Sequence, residues 1–135
     1  MTLPSDLHRL LAAWIVILCA GVAGCSETPP PPDLHPVSGV VVGLNGEAVT
    51  SGGTIEFCSP TDPDFRAVAG FDKSGRFELS SRDGNEKHLG ARPGSYQVTV
   101  FPSGAKYIEP IELPKAVIIA PQDNELTIKI DASKL

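Results

Sequence analysis

The residues with the most definite chemistry are Val22-Ala23-Gly24-Cys25, at the end of an apolar run near the N-terminus. A cysteine directly behind small residues is the substrate pattern of bacterial lipoprotein maturation. The thiol takes a diacylglyceryl group, and a peptidase then cuts between Gly24 and Cys25. The stretch ahead of it has the three parts of an export signal. His8 and Arg9 lie in the first nine residues, with Asp6 weakening the positive charge. Leu10 to Gly21 is apolar around Trp14-Ile15-Val16-Ile17-Leu18, and small residues lead into the cysteine. This run falls short of the roughly 18 apolar residues from which a spanning helix is read. An uncleaved anchor helix, the alternative, has no need of a small-small-Cys ending.

The expectation is a signal peptide over 1–24 and a lipid-bearing Cys25, with palmitate-type chains holding the rest to a bilayer. Each buried methylene is worth roughly 0.8 kcal/mol, and two chains anchor stably where one does not. The expected location is the bacterial cell envelope, facing the periplasm or the exterior. Ser26 rather than Asp follows the cysteine, which resembles outer-membrane sorting in well-studied double-membrane bacteria; inner against outer membrane stays open. Ser133-Lys134-Leu135 matches a peroxisomal address, which does not belong in the same cell as a bacterial lipid signal.

Other chemical candidates are sparse. Asp62, Asp64 and Asp72 could offer oxygens to calcium, but the Asp-x-Asp-x-Asp-Gly loop is absent, and solvated turn carboxylates are the expectation. Tyr96 and Tyr107 with His35 and His88 match the ligand types of an intradiol dioxygenase iron. The histidines, however, fall on a linker and a distant loop, and Tyr96 is expected in a core. No metal or cofactor is expected. Cys58 is left alone once Cys19 is cleaved off and Cys25 is acylated, so no intramolecular disulfide forms. Alternation sets Cys58 beside Glu56 on an outward face, as a partly covered, unreactive thiol; pairing with another chain is the alternative. No base lies near it in sequence to make it a nucleophile.

Removing residues 1–24 takes one base and one acid, so the net charge stays at −5. A mildly acidic chain lacks the clustered Lys and Arg that nucleic acid requires. What remains is long enough for one domain that folds on its apolar core without disulfide staples. Residues 25–35 form the lipidated end and a tether, in which Pro29 to Pro32 make a stiff polyproline spacer of about 3.1 Å per residue.

From Val37 onward apolar residues recur at every second position, which predicts strands and no normal helix. The expected strands are Val37–Gly43, Gly53–Cys58, Arg66–Phe71, Arg76–Ser80, Ser95–Phe101, Lys115–Ala120 and Glu125–Ile130. Leu44-Asn45-Gly46 and Asp72-Lys73-Ser74-Gly75 read as turns. Ser81–Arg92 reads as a polar loop, Pro102–Pro114 as a long connection, and Pro121–Asn124 as the turn of a last hairpin. Seven short strands predict an antiparallel β-sandwich.

These residues also carry a family signature. Val37-x-Gly39-x-Val41, Asn45-Gly46 and Gly53-x-Ile55-x-Phe57-x-x-Pro60 resemble the opening of a carboxypeptidase regulatory-like domain. Asp72-x-x-Gly75-x-Phe77-x-Leu79 is similar to its middle hairpin, and Pro93-Gly94-x-Tyr96-x-Val98-x-Val100 to a later strand. The resemblance covers residues 36–131 and is nearest to short single-domain bacterial lipoproteins. It implies an all-β, seven-stranded antiparallel Greek-key sandwich of transthyretin (prealbumin) type, used as a folding aid, a spacer, or a binding module for protein or sugar. Its quoted residues are turn glycines, a turn aspartate and core apolars, none of which does chemistry. The related hydroxyisourate hydrolases end in Tyr-Arg-Gly-Ser, whereas this chain ends Asp131-Ala132-Ser133-Lys134-Leu135.

The reading that follows is a non-enzymatic, lipid-anchored envelope module that meets an envelope protein or glycan. Function on sandwiches sits on loops, so the candidate contact residues are Arg82, His88 and Tyr107. The alternative is a carbohydrate-binding module. It has only Tyr107 as a visible stacking surface, because Trp14 is lost with the signal.

Overall fold

Val, Ile and Phe at alternate positions share one face only if the backbone is extended. The computed structural model describes residues 33–104 and 109–135, and there the alternation becomes strands. They are β1 (Val37–Gly43), β2 (Gly53–Cys58), β3 (Arg66–Phe71), β4 (Arg76–Glu78) and β5 (Ser80–Asp83). β6 (Glu86–Leu89), β7 (Gly94–Pro102), β8 (Ile111–Glu112), β9 (Val117–Ile119) and β10 (Asn124–Ile130) follow, with a final 3-10 turn at Ala132–Lys134. They form one curled sheet in the order β10-β1-β4-β3-β2-β7-β8, with β5 also on β3, β6 on β5 and β9 on β7. The protein is all-β, as the alternation predicts. Residues 1–32, with Gly24 and Cys25, and residues 105–108, with Tyr107, lie outside the described residues.

Four expectations need correction. The sheet is mixed, not purely antiparallel: β1 and β10 run parallel from Val37↔Asn124 to Gly43↔Ile130. Alternation reports which face is buried, and Val41 and Ile128 do share the inner face, but it says nothing of a neighbour's direction. There are ten strands among the described residues rather than seven, partly because the expected Arg76–Ser80 strand divides. Its first part pairs with β1, and the chain past Leu79 pairs with β3.

The polar stretch Ser81–Arg92 is not a loop; most of it is the β5–β6 hairpin, closed at Gly84-Asn85. It lacks Val and Ile alternation, so only backbone pairing marks it as sheet. Last, β9 and β10 are not a hairpin. β9 joins β7 and β10 joins β1. The Asn124 side chain holds the corner between them: Nδ2 donates to Ala120 O (3.0 Å), and Oδ1 accepts from Ala120 N (2.9 Å).

The core lies inside the curl. Phe57 and Ile55 of β2, Val98 and Val100 of β7, Val41 of β1 and Leu79 are fully buried. Phe57 centres an aromatic group, with its ring 6.4 Å from Phe77 and 6.1 Å from Tyr96, edge-on to the latter. Tyr96 points inward as expected, and its hydroxyl donates to Arg92 O at 2.8 Å. Burial pushes the Tyr96 phenol above its ordinary value, which keeps that donor protonated.

The β3–β4 connection depends on Asp72. Its Oδ1 accepts from Ser74 N (2.8 Å), from the Ser74 hydroxyl and from Arg76 N (3.3 Å). Gly75 follows at φ 78°, where a Cβ would meet Val41 O, so the turn requires glycine. The hydrogen bonds from Ser74 hold the Asp72 carboxyl below its ordinary 3.8. A lowered folded pKa contributes stability above the unfolded value and loses it as pH falls through the folded one. Asp72→Asn is therefore expected to lower the melting temperature at neutral pH. Below pH 3.8 the gap to wild type should narrow, as melting curves across an acid pH series will report.

Candidate functional site

The β5–β6 hairpin brings together residues that sequence distance hides. Register sets Ser81 opposite His88 and Arg82 opposite Lys87. A cleft of about 270 Å³ opens beside them, lined by Leu34, Asp62, Asp64, Phe65, Ser81, Arg82, Gly84, His88 and Arg92. Two of the three candidate contact residues, Arg82 and His88, thus converge on one cleft. A second groove, of about 560 Å³, on the outer face holds Arg82 again, with Arg66, Lys87, Asp64 and Glu78.

Arg92 organises the cleft. Its guanidinium lies 4.7 Å over the Phe65 ring, a cation–π arrangement. Its Nε is 3.1 Å from Asp33 Oδ2, and one terminal nitrogen is 3.4 Å from Asp62 Oδ2. The Nε–H is buried without a well-aimed acceptor, so charge rather than a good hydrogen bond holds the Asp33 pair. The N-terminal segment docks at the same place. His35 N donates to Ala91 O (2.9 Å) and Ala91 N to His35 O (3.0 Å). Gly90 makes room for this with φ 95°, since a Cβ there would meet His35 O.

Ser81 opposite His88 has the residue types of a nucleophile and its base, a juxtaposition the sequence does not suggest. The geometry supports another role. Ser81 is buried, and its hydroxyl donates to Gly90 O at 2.6 Å, which spends its one proton on the backbone. His88 Nε2 instead faces Glu86 Oε2 at 3.5 Å. Asp62 is held by Arg92 and Asp72 by its own turn, so the three aspartates do not converge. Among the described residues no three His, Cys, Asp or Glu side chains form a metal-holding group. No helix among them is long and apolar enough to cross a membrane.

Cys58 is half-buried, and its thiol donates to Glu56 Oε1 at 3.0 Å; Arg66 pairs with the same oxygen. Burial first, then the Glu56 hydrogen bond and charge, push the Cys58 thiol above its ordinary 9.0, with Arg66 partly opposing. The thiolate is the reactive form. Cys58 is expected to react with a disulfide reagent at neutral pH at least several-fold more slowly than a free thiol. Glu56→Gln should speed the reaction, as stopped-flow thiol titration will show.

Compared with family models, with curated proteins and with solved structures, the chain finds no match.

Proposed function

We propose that this chain is a lipid-anchored, non-enzymatic interaction module of the bacterial cell envelope. On this reading the curled sheet is a Greek-key sandwich of the transthyretin-like, carboxypeptidase regulatory-like type. Residues 1–24 are its signal peptide and Cys25 its lipid attachment point.

The observation that carries the proposal is where the N-terminal segment meets the domain. Leu34 lines the cleft that also holds Arg82, His88 and Arg92, and Asp33 pairs with Arg92 beside it. Seven residues lie between Cys25 and Asp33, and a polyproline-type segment of those eight steps would span about 25 Å. On this reading the cleft lies where the tether enters the domain, and a partner at the envelope surface meets Arg82 and His88 there. Its volume suits one inserted side chain better than a larger ligand.

Two features support a binding role over catalysis: the Ser81 proton is committed to Gly90 O, and the Asp62 carboxylate is paired with Arg92. Arg92 covers Phe65, which removes that ring as a stacking platform for sugar.

The test is chemical crosslinking of the lipidated protein in living cells, purification under denaturing conditions and identification of what remains attached. A stoichiometric protein partner that is lost with Arg82→Glu and His88→Ala supports the proposal. A glycan in its place moves the function to carbohydrate binding, and no attached species at all moves it to a spacer.

A further inference from the structure

Strand β10 ends the strand order and, among the described residues, pairs only with β1. The phase of its open side can be read directly. Asn124 N donates to Pro36 O at 2.9 Å, so the backbone groups of Asn124 point toward β1. Backbone groups alternate sides along a strand. Those of Leu126, Ile128 and Ile130 therefore also point to β1, and those of Glu125, Thr127 and Lys129 point to the open edge. The same three residues carry exposed side chains, while Ile128 and Ile130 are buried and Leu126 is partly so.

Thr127 is the centre of the seven-residue strand. A second copy laid antiparallel about a two-fold axis through it sets Thr127 against Thr127. Glu125 then faces Lys129, Leu126 faces Ile128, and each of these pairs occurs twice. The residues with outward backbone groups become the hydrogen-bonded pairs, so ladder phase, charge and apolar face agree in one register. The neighbouring in-phase registers fit worse: one sets Glu125 against Asp131, the other Asn124 against Ile128. Asp123 and Asp131 face each other only beyond the strand ends, and the Asp131 carboxylate is turned to Ser133.

We propose that β10 is an interface for a second copy of this chain, joined as an isologous antiparallel edge pair centred on Thr127. Charges on edge strands commonly guard against pairing. A guard of one sign repels its own copy, whereas Glu125 and Lys129 attract it. An edge pair buries little area, which places the association at the weak end of specific interfaces.

The test is sedimentation of the purified full chain in detergent, from micromolar to millimolar concentration. Wild type is expected to dimerise. Lys129→Glu and Glu125→Lys each create two like-charge pairs, and each should weaken dimerisation by about tenfold or more. An equimolar mixture of the two variants restores both opposite-charge pairs and should recover wild-type association. Both variants should melt as wild type does, since both side chains are exposed. Thr127→Pro removes an outward N–H without touching the β1 ladder and should also give monomer. A wild type that stays monomeric overturns the proposal. So does a dimer indifferent to the charge reversals, or a mixture that fails to recover.

Discussion

Cys25→Ser is expected to abolish fatty-acid labelling of the chain and to leave residues 1–24 attached. A hydroxyl at that position cannot form the thioether that the lipid transfer makes, and the maturing peptidase acts only after that transfer. On the proposed reading both outcomes are all-or-none because every chain depends on that one sulfur. A single chain binds only marginally, with a constant of about 10⁴ M⁻¹, while two hold stably at roughly 0.8 kcal/mol per buried methylene. Growth with labelled palmitate, followed by intact-mass measurement, reads both outcomes. A wild-type protein that starts at Cys25 with a diacylglyceryl mass supports the anchored reading. Label that persists in Cys25→Ser, or an unlipidated wild type that still carries residues 1–24, would falsify it. The same measurement bears on the cleft, whose place at the end of a lipid tether follows only if Cys25 is the attachment point.

Phe57→Ala is expected to destabilise the domain by about 3–5 kcal/mol. Phe57 is fully buried near the end of β2, with β3 on one side and β7 on the other. Its ring touches the Phe77 and Tyr96 groups that close the curl. Truncation removes the transfer free energy of the ring and leaves a cavity that two flanking strands cannot collapse to fill. Domains of this size have roughly 5–15 kcal/mol in total, so the loss is a large fraction. Phe57→Leu keeps most of the volume and should cost less than half as much. Urea denaturation of both variants checks this, with an unchanged slope showing that the same surface is exposed on unfolding. A cost under 1 kcal/mol for alanine would mean that the aromatic group is not the centre of the core.

Several features of the fold could be read from the chain. Ile55 and Phe57, Tyr96, Val98 and Val100, and Ile128 and Ile130 all lie on the face their alternation predicts. The Asp72–Gly75 turn forms as its residue types require. Arg82 and His88 read as contact residues of a polar loop, but neither their hairpin nor their meeting at one cleft was legible. That depends on the Gly84-Asn85 turn setting the hairpin register, in a stretch with no apolar alternation to announce a strand. Arg92 could not be read as the organiser of the cleft, because its partners Asp33, Asp62 and Phe65 come from segments far from it in the chain.

By itself the sequence determined the all-β class, the buried face of most strands and the Asp72 turn. These are local properties: pleat alternation and turn chemistry. Tertiary structure alone decided which strands pair. It made β10 parallel to β1, left its Glu125–Lys129 edge without a partner strand among the described residues, and joined β9 to β7. It also turned Ser81 toward Gly90 and folded Arg92 over Phe65. The reason is that strand partnership and cleft geometry depend on how the whole sheet curls to enclose its core, and no short window of residues contains that closure.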